Sequence, residues 1–71
     1  MISKRSVSIR GHATSISVED RFWERLRVLA GERGLTPAAL IAEIDARRSP
    51  GTNLSSAIRL FILEDALGRL G

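Results

Sequence analysis

The chain contains no cysteine and a single histidine among its 71 residues. Disulfides are therefore excluded as a source of stability, thiolate metal sites are absent, and His12 alone builds no metal centre. The lack of cysteine fits a reducing cytoplasm, the location expected for this protein. Long apolar stretches are missing too. The N-terminal basic residues are followed by no apolar core of the kind a signal peptide carries. A run such as Leu60–Leu63 is far too short to span a bilayer, so no membrane association is expected. The chain has no phosphate-binding glycine loop and no metal-ligand cluster, and His12 has no carboxylate near it in sequence. A nucleophile needs both a base and an orienting group, so neither catalysis nor a cofactor is expected.

Small size is the next constraint. A chain of this length buries only about 60% of the surface that its unfolded form exposes, which leaves a monomer marginal. With disulfides and metals excluded, the remaining source of stability is self-association, and a homodimer is expected.

Acidic residues are absent from the first eighteen positions, where Lys4, Arg5 and Arg10 stand alone. From Glu19 onward the other eight basic residues balance all eight acidic ones. The whole net charge of +3 therefore sits on the first segment. A basic segment on an electrically mixed body points to a polyanionic partner.

What is present is a change of period. Val7, Ile9, Ile16 and Val18 alternate with Ser6, Ser8, Ser15 and Ser17, which reads as strand with one apolar face, interrupted at Gly11. The spacing of Ser17-Val18-Glu19-Asp20 suits a capping box for a helix beginning there. Phe22, Leu26, Leu29 and Ala30 then form a buried helical stripe with Trp23 beside it, ending near Gly34. Thr36 is placed to cap a second helix with Pro37 at its first position and Leu40, Ile41 and Ile44 inward, running to about Arg48. Pro50-Gly51 breaks the chain, and Asn53 can cap a last helix. That helix carries Leu54, Ile58, Phe61 and Ile62 on one side, with Leu60, Leu63, Leu67 and Leu70 covering much of the rest. Its second apolar face needs a covering surface, either another copy or another protein.

The order strand, helix, Gly-x-Thr turn, helix resembles the ribbon-helix-helix DNA-binding family. The stretch SISVEDRFWERLRVLAGERGLTPAALIAEI, Ser15–Ile44, carries the resemblance, and the flanking KRSVSIRGH and NLSSAIRLFIL look like a short bacterial branch with an extra C-terminal helix. The implied fold is mostly α with one β-strand region. It is an intertwined dimer with a two-stranded antiparallel ribbon, plus the additional helix. Residues 1–12 would be a basic arm or outer strand, 13–48 the ribbon-helix-helix core and 53–70 the extra helix. The resemblance implies a dimer core of Ile16, Val18, Phe22, Trp23, Leu26, Leu40, Ile41, Ile44, Ile58, Phe61 and Ile62.

The function it implies is transcriptional regulation, with repression expected, by insertion of the dimeric ribbon into the major groove of double-stranded DNA. Ala13, Ser15 and Ser17 would face the bases. Lys4, Arg5, Arg10 and the helix N-terminus at Thr36 would hold phosphates. Ala13 departs from the long polar or basic side chains usual at such positions. Alanine offers a base only a methyl contact and serine discriminates poorly, so base reading is expected to be weak. The alternative is a dimeric interaction module, or an antitoxin-like protein, that binds DNA weakly and meets a protein partner through the last helix.

The near mirror of SVSI and SISV leaves two pairings open. With Gly11-His12 as turn, the segment folds on itself, and Arg10 faces Ala13 while Val7 faces Ile16. Otherwise residues 13–18 pair with their own copy and leave a mobile basic arm, the arrangement favoured here. Two hairpins would instead build a four-stranded sheet too wide to sit edge-on in a major groove about 12 Å across. Such a sheet would better suit phosphates or a protein partner.

Overall fold

In the computed structural model, which describes residues 1–71, two strands precede three helices. The strands are β1 (Ile2–Ile9) and β2 (His12–Glu19), and the helices are α1 (Asp20–Glu32), α2 (Pro37–Arg47) and α3 (Leu54–Leu70). The strands pair with each other, from Ile2 opposite Glu19 to Ile9 opposite His12. The favoured free arm is therefore corrected: residues 2–9 are strand, because pairing them satisfies a ladder of backbone groups and turns Val7 and Ile9 onto the core. The turn also differs from expectation. It is Arg10-Gly11, and Val7 faces Thr14 while Arg5 faces Ile16. Both turn residues have positive φ, 52° and 81°, as a type I′ turn requires, and that turn matches the right-handed twist of the strands. The shift leaves every side chain on its expected face.

The capping box does not form. Ser17 stays in β2 opposite Lys4, and the N-cap of α1 is Glu19, without a side-chain cap bond. The ladder holds the chain extended up to the helix, and Asp20 N donates to Met1 O at 2.9 Å. The other two caps form as expected. Thr36 Oγ1 accepts from Ala39 N at 3.1 Å and Asn53 Oδ1 accepts from Ser56 N at 2.8 Å. Gly34, with φ 70°, supplies the left-handed residue that ends the first helix–helix turn.

All three helices pack on the inward face of the hairpin. Eleven residues are buried and none is polar: Ile9, Ile16 and Val18 from the strands, and eight from the helices, including Leu26, Leu40, Ile41 and Ile58. Eight of the residues expected in a dimer core lie in this core of one chain, while Phe22, Trp23 and Phe61 are half-buried against it. Arg69 ties α3 to α1 by donating to Glu32 at 2.6 Å, and it also donates to Asp65 of its own helix at 2.8 Å. No helix is long and apolar enough to cross a membrane.

Candidate nucleic-acid interface

Alternation along the hairpin sends one set of side chains away from the helices. Lys4 lies opposite Ser17, Ser6 opposite Ser15 and Ser8 opposite Ala13, and all six are exposed. This face is small and hydroxyl-rich, with one cation, Lys4, near the end away from the turn and no acid until Glu19, which lies opposite the exposed Ile2 at that end. Ala13, Ser15 and Ser17 are brought together as the strand pattern predicts. Lys4, Ser6 and Ser8 share their face, because residues 2–9 take the outer-strand alternative and not that of a free arm. The signal was there in the alternating serines.

The expected phosphate contacts are spread out. Lys4 is on the outward face. Arg10 is exposed at the tip, roughly 20 Å further along a strand that rises about 3.3 Å per residue. Arg5 points inward: its guanidinium lies over the Trp23 ring at 4.5 Å and 3.8 Å from Asp20 Oδ1, which also accepts from Ser3 Oγ at 2.7 Å. Thr36 is at the N-terminal end of α2. The opposite end of that helix, with Asp45 and Arg48, borders the hairpin tip, about 13 Å away at 1.5 Å per residue.

Arg10 is the conformationally unusual member. It is the one non-glycine residue with positive φ, in a turn position where asparagine, aspartate or glycine is preferred. Left-handed backbone at a side-chain-bearing residue costs of order 1 kcal/mol. The hairpin thus carries a cation at its tip where a neutral residue would fold better.

One functional pair was not foreseen. Ser55 and Arg59, one turn apart on α3, reach the free edge of β2. Ser17 N donates to Ser55 Oγ at 3.0 Å, and Arg59 Nη2 donates to Ser17 O at 3.1 Å. Arg59 Nε also donates to Glu19 Oε1 at 2.8 Å. Chiefly through that bond, helped by a backbone N–H and the guanidinium charge and opposed by desolvation, the Glu19 carboxyl is held below the usual carboxylate range. A depressed carboxyl pKa stabilises the fold above the ordinary glutamate range, and that contribution disappears as pH falls through the lowered value. Thermal midpoints measured down the acid limb should therefore fall less in Glu19→Gln than in the wild type. Parallel acid limbs would remove the pair as a contributor.

A family model described as a ribbon-helix-helix domain matches residues 2–66. The chain belongs to the ribbon-helix-helix family. The match takes in both strands and most of α3, so the extra helix falls within the family domain. No curated protein and no solved structure matches the chain. Ribbon-helix-helix domains are DNA-binding, non-enzymatic and generally dimeric, which makes the outward hairpin face the natural place to look for a nucleic-acid contact.

Proposed function

We propose that the protein is a homodimeric transcriptional regulator of a bacterial cytoplasm that lays the outward face of its hairpins on double-stranded DNA. The observation that carries this reading is an outward hairpin face of small, mostly polar side chains, free of acidic residues from Lys4 and Ser17 up to the turn, with a cation at each end, Lys4 and Arg10. In the dimer the β2 strands of two copies form the central pair and enter the major groove, with Ala13, Ser15 and Ser17 toward the bases. Neighbouring strands are about 4.8 Å apart. The β1 strands then fall about 7 Å from the two-fold axis, just beyond the half-width of a groove about 12 Å across. A four-stranded sheet, about 14 Å between its outer strands, is therefore wider than the groove; it meets the groove face-on, with the β2 pair toward the bases and Lys4 and Arg10 over the phosphate walls. Arg5 acts indirectly, fixing Trp23 and the start of α1, and Thr36 offers a second phosphate contact at the far end of α2. Occupying promoter DNA in this way blocks polymerase, so the regulation is repression, and the reading assigns the chain no catalysis.

Base reading by alanine and serine is weak, so affinity comes mainly from phosphates. Genomic fragments selected by the purified protein against a polyanion competitor should share short, two-fold related half-sites. Ser15→Ala should alter the selected sequence more than the affinity. If neither changes, the outward face does not read bases.

A second reading rests on α3. Leu60, Leu63, Leu67 and Leu70 are 51%, 50%, 56% and 85% exposed, too much contiguous apolar surface for a monomer's helix. They offer a protein partner, or further copies, a docking face that leaves the hairpin free.

A further inference from the structure

The free edge of β2 is open over a short stretch and closed beyond it, and this fixes how two copies can meet. Antiparallel pairing alternates along a strand between residues bonded to one neighbour and residues bonded to the other. Asp20 N bonds to Met1 O, so Val18, Ile16, Thr14 and His12 spend their backbone groups on β1. Those of Ala13, Ser15 and Ser17 point to the outer edge. Ser17 is already taken at both N and O by Ser55 and Arg59. Ala13 and Ser15 are left.

We propose that a second copy pairs with β2 in a register centred on Thr14, and that α3 sets this register by occupying Ser17. The inference rests on the dimeric reading above and specifies its contact. Centred on Thr14, Ala13 of each copy opposes the partner's Ser15, and the two pairs use every open backbone group. A register centred on Ser15 would pair Ala13 with the partner's Ser17 and break both α3 contacts. One centred on Ala13 would bring Gly11, with φ 81°, into the ladder.

Three observations select a second copy as the occupant and β2 as the edge. The β1 edge carries Lys4, a charged residue of the kind that blunts exposed edges, whereas β2 has no formal charge between His12 and Glu19. The β2 strand starts beside Arg10 and ends at Glu19, so antiparallel copies lay the basic tip of one against the acidic end of the other. The open edge also forms one wall of a groove of about 760 Å³, whose other walls are the end of α2 at Arg48 and the start of α3 at Asn53 and Ser55. An added strand has room there.

The absence of cysteine makes the test direct, because any disulfide in a single-cysteine variant joins two chains. Across the two-fold axis the Thr14 pair has Cα atoms about 4.5 Å apart, within disulfide reach. Ser17 and the partner's Ser17 are then about 20 Å apart. Under mild oxidation Thr14→Cys should become mostly disulfide-linked dimer, while Ser17→Cys and Ser6→Cys stay single chains. If Thr14→Cys does not fold, an oxidised mixture of Ala13→Cys and Ser15→Cys should give the mixed dimer in excess over either homodimer. Adding Ser55→Ala and Arg59→Ala should spread cross-linking to Ser15→Cys by freeing Ser17. Unchanged selectivity there would overturn the role of α3. A dominant cross-link at Ser17, Ser15 or Ser6 in the otherwise unaltered chain would overturn the register. Light scattering on the wild type separates the two levels. A dimer with the wrong cross-link sinks the register alone, and a monomer sinks the dimeric reading beneath it.

Discussion

Ile16→Asp is expected to leave no folded protein: no cooperative thermal transition, with the helical circular dichroism signal lost at room temperature. Ile16 is 1% exposed, on the inward face of β2, in the same cluster as Leu26, Leu40, Ile41 and Ile58. Breaking or burying an uncompensated charge in such a site costs about 3–5 kcal/mol. At 0.05–0.15 kcal/mol per residue, a chain of this size has a total stability of about 4–11 kcal/mol. Losing the packing of the isoleucine side chain costs about 2–5 kcal/mol more, and the two together remove most or all of it. Arg5 lies across the ladder from position 16, but it is held over Trp23 and near Asp20 and would have to leave both to reach a new carboxylate. Ile16→Val, which deletes one methylene, should cost only about 0.5–1.5 kcal/mol and keep the cooperative transition. An Ile16→Asp variant that melts like the wild type would place this side chain on the outward face, a one-residue slip of the whole strand.

Arg10→Asn is expected to move stability and DNA affinity in opposite directions. Asparagine suits the left-handed first position of a type I′ turn, so relieving Arg10 should gain roughly 0.5–1 kcal/mol. For a domain of this size that raises the melting temperature by several degrees, at about 4–8 °C per kcal/mol. The same substitution removes one phosphate contact per chain. The slope of log K against log salt should then flatten by about 1.8 for a dimer. A less stable variant would contradict the strain assigned to Arg10, and a wild-type slope would contradict its phosphate contact.

Much of the fold is legible in the sequence because its signals are local. Thr36 before Pro37, Gly34 before the turn and Asn53 after Pro50-Gly51 mark helix ends by side-chain chemistry, and each acts there as expected. Strict alternation from Ser6 to Val18 assigns strand faces correctly even though the turn lies one residue from its expected place, since both registers keep Val7, Ile9, Ile16 and Val18 on one side. What the sequence leaves open is decided by tertiary contact. Whether residues 2–9 pair or wave free depends on the core beneath Val7 and Ile9, assembled from helices that come later in the chain. Ser17 reads locally as a helix cap, but the ladder and Ser55 claim it first. The clasp of Ser55 and Arg59 on β2 spans some forty positions, and no spacing rule connects them. Arg5 reads as one cation among three, and only the packing of Trp23 turns it inward.

The measurement that bears most directly on the DNA-binding reading is an anisotropy titration of a mixed-sequence DNA duplex with the wild-type protein at several salt concentrations. Lys4 and Arg10 from two chains make four phosphate contacts, which predicts binding at low salt and a log–log slope of about −3.6. No binding at low salt, or an affinity indifferent to salt, would contradict the account and turn attention to the exposed leucines of α3.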